Sequence, residues 1–425
     1  MAEKTKKHHV IIVGMGFAGY QAYRTLHDLL REEDNVEITA IDSSDSFVFI
    51  PMIHEVATGL LMPDSITHHL RDTPQRFARD IIEGKVLSLD ADAKTLTIAR
   101  AEGFTDTLSY DTLVLAMGSR INFFGVPGAE EHAFPLNTLP DAKKIKNRLI
   151  EMFDMADATT DPAERKELLR FVVVGAGATG VELTGEIADA LSKELRDLFP
   201  HLHEHAEVVL IDRGTQLLSQ MDEWFGEKVM RILEKKKNVK IILEAGAEKI
   251  IPEGITTNKG FFASRTVLWC AGIVSTSLPM SSAQTIPIDE RTKRIIVTPE
   301  LFVETKPDIF VVGDQAEIVN PKTGKPYGMR AQFAVREGRT AARNIIARLR
   351  GKRLSSFSWQ EHGIILSLGR GGALAKVFGF KFSGFIAWLI FHTAYLTALV
   401  GVRAKCRTAL EWVLDLFSPR DFSKV

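Results

Sequence analysis

Short apolar runs, glycine-rich turns and stretches of helical spacing follow one another in a fixed order through the chain. VIIV at 10–13 is apolar at every position, as a strand covered on both faces must be. GMGFAG follows at 14–19, a helix is predicted over 20–31, and a second apolar run at 36–41 ends on Asp42. The order recurs: FVVV at 171–174, GAGATG at 175–180, a helix over 181–191, and an apolar run at 208–211 ending on Asp212. The two motifs lie roughly one domain apart, far beyond a solenoid period. Further strands predicted at 112–116, 266–270 and 309–312 end in the turn-forming clusters MGS, AGI and GDQA. Such strand ends build the ligand-facing edge of an open α/β sheet. Linkers are expected near 118–122 and 272–275. A helix is expected from Gly338 to Leu349, broken by GKR at 351–353.

The tail has another character. Residues 385–402 are nearly all apolar, interrupted by His392, Thr393, Tyr395 and Thr397. That length sits at the threshold for a membrane span, and the polar interruptions argue against one. Arg403, Lys405 and Arg407 follow. Cys406, Ala409, Leu410, Val413, Leu414 and Phe417 then recur at helical spacing, with Lys405, Arg407, Glu411 and Asp415 on other faces. The pattern predicts an interfacial anchor with Trp388 and Trp412 at headgroup level. Deleting 384–425 is expected to release soluble protein. The expected fold class is α/β: two Rossmann-like dinucleotide-binding domains in tandem plus a C-terminal amphipathic helical membrane-anchoring region. The expected boundaries are 1–118 with 275–350 for a discontinuous first domain, 119–274 for the second, and 351–425 for the C-terminal region.

Composition narrows the function. The chain has 425 residues, 45% of them hydrophobic and 25% charged, enough for real cores. A net charge of −1 gives no pull toward nucleic acid. The only cysteines, Cys270 and Cys406, form no CxxC or zinc-type spacing. A disulfide framework, a redox cysteine pair and a metal site are therefore not expected, and both thiols read as packing residues in a reducing compartment. MAEKTKKHH leads directly into a strand, so no secretory signal is expected.

The glycine motifs carry the chemistry. A pyrophosphate needs close backbone approach and a helix N-terminus aimed at its charge. Gly14, Gly16 and Gly19, and again Gly175, Gly177 and Gly180, supply both. Asp42 and Asp212, at the ends of the second strands, can accept from a ribose 2′-OH. A carboxylate repels a 2′-phosphate, so Asp212 favours NADH over NADPH, and the neighbouring Arg213 leaves tolerance of the phosphate open. One such motif is weak evidence for a dinucleotide; two in matching contexts are strong.

With both motifs placed, the chain resembles the two-dinucleotide flavoprotein disulfide-reductase superfamily, and within it the type II NADH:quinone oxidoreductases. The resemblance rests on VGMGFAG, FIPMIHEVATG (49–59), LAMGS (115–119), VVGAGATGVELTGEI (173–187), WCAGI (269–273), VVGDQA (311–316), RAQFAVREG (330–338) and KFSGFIAWLIFH (381–392). It implies FAD in the first domain, held by Gly14, Gly16, Gly19, Asp42, Gly118, Asp314, Ala331 and Gln332. It implies NADH as substrate in the second, at Gly175, Gly177, Gly180, Glu182 and Asp212. Glu186 resembles the family's glutamate near the flavin, and Lys381 the lysine close to its ring. Gln332 opens the quinone-side signature, but Arg336 stands where a second glutamine is usual, which leaves the quinone contact open. The implied reaction is hydride transfer from NADH to flavin N5, then two electrons to a membrane quinone, without proton pumping. Glu186 or solvent would supply protons, and Gln332 and Lys381 complete the catalytic set. The implied partners are NADH, ubiquinone or menaquinone, and a bilayer surface, with peripheral attachment to the cytoplasmic face of a bacterial membrane; a homodimer is left open. A soluble NAD(P)H:acceptor reductase and a flavin-bound redox sensor are the alternatives. A sulfide:quinone reductase would need cysteines near the flavin.

Overall fold

The apolar runs become the central strands of two separate parallel sheets. The computed structural model describes residues 6–101, 103–280, 286–361, 363–370, 372–415, 417–420 and 422–423. It divides into two units: Met1–Val48, His68–Arg120 and Ile273–Gln360 in one, and Phe49–Thr67, Ile121–Gly272 and Glu361–Val425 in the other.

In the first unit an eight-stranded sheet runs in the order Phe302–Val303, Lys306–Val311, Thr112–Leu115, His8–Val13, Val36–Asp42, Ala78–Asp90, Thr95–Arg100, Thr105–Ser109. Its middle is parallel, with Val10 opposite both Ile38 and Thr112, and Ile309 opposite Leu113. Val10, Ile11 and Ile12 are fully buried, which is why that run carries no polar residue. From His8–Val13 the chain moves to Val36–Asp42 on one side, and it later returns to Thr112–Leu115 on the other. That reversal is the switch point at which open α/β sheets bind ligands, beyond the C-terminal strand ends. Asp42 closes its strand, and Gly14, Gly118 and Asp314 lie just past the ends of theirs.

Helix Phe17–Leu29 starts three residues earlier than its spacing predicts, directly on the glycine turn. Helix Ala331–Leu349 also starts early and runs through Gly338 instead of beginning there. A Cβ at Gly338 would lie 2.0 Å from the carbonyl oxygen of Ala18. The glycine marks the close crossing of these two helices, not a helix start.

In the second unit five parallel strands run in the order Phe134–Pro135, Thr266–Trp269, Arg170–Val174, Glu207–Ile211, Val239–Ile242. Helix Ala178–Ser192 follows the second glycine motif. Residues 361–425 fold into this unit. Strands Gly363–Ser367, Ala373–Val377 and Phe380–Ser383 form a small antiparallel sheet, covered by helix Phe385–Ala398 through Ala373, Ala375, Ala387 and Phe391. The long apolar run is thus a 14-residue helix and a turn at Gly401, where φ is 81°. No helix among the described residues is long and apolar enough to cross a membrane.

The last helix, Val402–Asp415, is amphipathic in an inverted sense. The apolar stripe faces outward, with Leu410 58% and Phe417 83% exposed, while Ala404, Thr408 and Trp412 pack inward. Trp412 is 7% exposed, so its expected place at headgroup level is not where it sits. Its indole N–H has an acceptor inside the unit, and a buried Trp goes where that partner is.

Candidate active site

Each glycine motif folds into the same cradle. In the first, a Cβ on Gly14 would meet the Ala116 carbonyl oxygen at 2.3 Å, and one on Gly19 would meet the Gly14 oxygen at 1.8 Å. Those two glycines let the turn close. Gly16 differs: a Cβ there would meet none of the described residues within 4 Å. It is also the N-cap of helix Phe17–Leu29 and offers no side-chain cap. The first-turn N–H groups are left for an anion. Asp42 braces the turn, accepting from the Met15 N–H at 2.5 Å and the Ser44 N–H at 2.9 Å. Burial pushes its carboxyl up, and those backbone donors hold it down. An acid at the end of the second strand is the residue type that can accept from a ribose hydroxyl.

The neighbouring strand ends finish this cradle. Asp314 accepts from Ser119 Oγ at 2.6 Å, and Gln315 accepts from the Met117 N–H at 2.7 Å. Gly118 has φ of 67° with open space beside it. Glu337, buried and pushed up to about 8 by burial, accepts from the Gly313 N–H at 2.7 Å and ties the GDQA turn to helix Ala331–Leu349. Ala331 and Gln332 open that helix. Arg336 donates to the Gln332 carbonyl at 2.7 Å and lies 3.7 Å above the Trp359 ring. Its guanidinium is therefore fixed by stacking, not left loose in place of a glutamine amide.

The second cradle repeats the first. A Cβ on Gly180 would meet the Gly175 oxygen at 1.9 Å, while one on Gly177 would meet none of the described residues within 4 Å, and Gly177 caps its helix without a side chain. Asp212 accepts from the Ala176 N–H at 2.7 Å and the Gly214 N–H at 2.6 Å. Arg213 sits over the Phe124 ring, 5.4 Å from its centre.

The helix after this cradle carries Glu182 and Glu186 into a buried cluster. Glu182 accepts from the Ser367 N–H at 3.2 Å, and His54 Nδ1 lies 3.9 Å from its other oxygen. His54 Nε2 lies 4.0 Å from Glu55. Glu55 is 1% exposed and accepts from the Trp412 indole N–H at 3.0 Å. Glu186 is ion-paired with Arg420 at 2.8 Å, and the Arg420 side chain is wholly buried. Burial, aided by Arg420, pushes His54 down to about 3. Burial, aided by Glu186, pushes Glu55 up to about 8, and burial lifts Glu182 well above the carboxylate range. Burial also raises Glu186, against the opposing charge of Arg420. Burial thus favours the neutral imidazole of His54 and the protonated form of Glu55 at neutral pH and shifts Glu182 in the same direction, with Arg420 beside Glu186.

Of the residues read from sequence, Glu182 and Glu186 meet in this cluster. Lys381 instead pairs with Asp222 at 2.9 Å and lies 5.5 Å from the Trp224 ring centre. Lys376 joins the same carboxylate at 2.7 Å, and the two lysines hold Asp222 far below its ordinary range. Cys270 is pushed up to about 12 by burial, which suits packing and not nucleophilic attack. His54, Glu55, Glu337, Trp412 and Arg420 were not singled out as site residues. His54 and Glu55 had a signal, an ionisable pair set in an otherwise apolar run; Arg420 had none.

The pyridine nucleotide-disulphide oxidoreductase family matches residues 8–338. The type II NADH:quinone oxidoreductase Ndh of Mycobacterium tuberculosis is 30% identical, over 99% of this chain and 90% of its own length. Its counterpart NdhA from the same organism is 31% identical, over 96% and 86%. Among solved structures, NDH2 of Plasmodium falciparum in complex with NADH superimposes with a TM-score of 0.90 at 18% identity, covering 98% of this chain and 100% of that one. The sulfide:quinone oxidoreductase of Aquifex aeolicus gives 0.73 at 20% identity, covering 98% and 96%.

Proposed function

The chain belongs to the pyridine nucleotide-disulphide oxidoreductase family and, within it, to the type II NADH:quinone oxidoreductases; on that premise we propose that it passes two electrons from NADH through FAD to a membrane quinone. The observation that carries this reading is the pair of cradles, each with an uncapped helix N-terminus, an open glycine and a bracing aspartate. Both fit a dinucleotide pyrophosphate. FAD, when bound, supplies the two-electron chemistry that links hydride donor to quinone.

The chain's own residues do the rest. Gly14, Gly16 and Gly19 bring backbone to the FAD pyrophosphate, with Asp42 on the adenosine ribose and Asp314, Gly118, Ala331 and Gln332 along the remainder. Gly175, Gly177, Gly180 and Asp212 take NADH. Asp212 has both oxygens bonded to loop N–H groups, so its charge is fixed where a 2′-phosphate would have to sit. Glu182, whose carboxyl burial shifts toward its protonated form, and Glu186, paired with Arg420, lie on the helix that follows the nicotinamide motif. Lys381 would have to leave Asp222 to act on the flavin ring.

The acceptor is a lipophilic quinone reached from a membrane surface. Phe385, Ile386 and Leu389 on one helix and Leu410, Val413, Leu414 and Phe417 on and just past the next are exposed apolar side chains. Arg403 lies exposed beside them. Such a face suits an interfacial anchor on anionic lipid. It argues against the soluble-reductase alternative, which has no need of one. The location we favour is the cytoplasmic face of a bacterial membrane. The test is steady-state oxidation of NADH and NADPH with a soluble quinone, alongside the absorption spectrum of the purified protein. A flavin spectrum with an NADH preference supports the reading; a flavin-free, inactive protein removes it.

A further inference from the structure

Resting on that reading, we propose that Glu55 is a proton reservoir for quinone reduction, passing its proton through His54 to Glu182. Reducing a quinone takes two electrons and two protons. The hydride from NADH carries both electrons and one proton, so one proton per turnover has to come from elsewhere. A buried acid held protonated at neutral pH is a local source.

The geometry sets a direction. His54 is buried, and its Nε2 has no hydrogen-bond partner among the described residues. Buried polar atoms in native proteins are nearly always satisfied, so this one calls for an explanation. It faces Glu55 at 4.0 Å, while Nδ1 faces Glu182 at 3.9 Å. Both gaps exceed a hydrogen bond by less than an ångström, within reach of a side-chain rotation. When Glu182 has given its proton to a quinone oxygen, His54 donates from Nδ1 to that carboxylate and accepts at Nε2 from the Glu55 carboxyl. One N–H bond breaks as the other forms. His54 ends neutral in its other tautomer, Glu182 is reloaded and Glu55 is left ionised; a proton from solvent at Glu55 and a return of His54 to its Nδ1–H tautomer reset the relay.

The surroundings make that ionised state tolerable. The Trp412 indole N–H already donates to Glu55 Oε2 at 3.0 Å. Arg420 acts on Glu55 in the same sense, while Glu186 and Asp415 oppose. Tyr395, from helix Phe385–Ala398, faces both Glu55 and Glu182 and is held protonated by burial. The helix Leu139–Ala158, packed against Ile53–Ala57, carries the buried Lys146. Glu55 is thus placed between charging up and staying neutral, as a store that empties and refills must be.

The test uses the flavin-loaded enzyme. Trp412 reports on Glu55 directly, so its emission should titrate with a midpoint near pH 8, and that titration should vanish in E55Q and in W412F. In anaerobic stopped flow with a water-soluble quinone, E55Q should leave flavin reduction by NADH within about twofold and slow flavin reoxidation by about tenfold or more, the scale of a lost proton donor. H54Q should do the same, and E55D should restore part of the rate. If emission shows no Glu55-dependent titration, or if E55Q and H54Q reoxidise at the wild-type rate, the reservoir is wrong even though NADH and quinone still turn over. If NADH fails to reduce the wild-type flavin at all, the functional reading fails first and the reservoir falls with it.

Discussion

The indole of Trp412 donates to the carboxyl of Glu55 across 3.0 Å, joining residues 357 apart in sequence. The last helix is therefore not a detachable anchor. It closes a buried acid cluster that Arg420 completes from the C-terminal segment by pairing with Glu186. The expectation that deleting 384–425 releases soluble protein has to be replaced. Such a deletion strips both partners from buried carboxyls and should yield insoluble or unfolded protein, read by expression and gel filtration. A folded, flavin-bearing product would show that the cluster does not hold the unit together.

Membrane attachment should instead yield to point changes on the outward stripe. L410D and F417D touch no buried partner, so melting temperatures should hold within a degree or two, since surface substitutions usually cost within about 0.5 kcal/mol. Both should cut sedimentation with anionic vesicles severalfold. Full binding by the double variant would place the lipid face elsewhere.

Arg420 offers a sharper stability test. R420M leaves Glu186 buried without its counter-charge, which typically costs about 3–5 kcal/mol. Glu186 has a raised pKa in the fold, and losing Arg420 raises it further. A group with a raised folded pKa destabilises the fold progressively as pH climbs. The R420M deficit in urea unfolding should therefore be small near pH 5 and large near pH 8. A pH-independent deficit would mean that lost packing, not charge, carries the effect.

Glu55 follows the same sign. Its carboxyl moves from 4.5 to about 8 on folding. The wild-type fold should lose stability between those values, on the order of a few kcal/mol, because the unfolded chain releases that proton sooner. E55Q cannot ionise, so it should match wild type near pH 5 and exceed it above pH 8. Thermal melts across that range decide it; parallel pH profiles would place the Glu55 proton outside the stability balance.

The two cradles can be separated. Gly16 and Gly177 have ordinary negative φ and free space for a methyl, so G16A and G177A should fold normally. The methyl enters the space assigned to a phosphate. G16A should purify with much of its flavin missing, while G177A keeps flavin and raises the KM for NADH about tenfold, a loss of about 1.4 kcal/mol of binding. The reverse pattern would exchange the two ligands.

Much of this was legible in the sequence because the signals are local. Each cradle lies within one stretch of strand, turn and helix, and Asp42 and Asp212 are fixed by strand ends. What was not legible depends on pairing at long range. Helical spacing marked an apolar stripe containing Leu410 and Phe417, but not which face the unit would cover. Trp412 lies inward because Glu55 is there, and nothing near residue 412 says so. Gly338 read as a helix start because a glycine in a helix is a penalty until the Ala18 backbone is seen against it. Arg420 had no pattern around it.

Electrons enter from NADH and leave to quinone through one bound flavin, and anaerobic stopped-flow absorbance reads both steps. Mixing with NADH should bleach the flavin bands, and a second mix with quinone should restore them within the turnover time. A flavin that stays oxidised with NADH, or stays reduced with quinone, would contradict it.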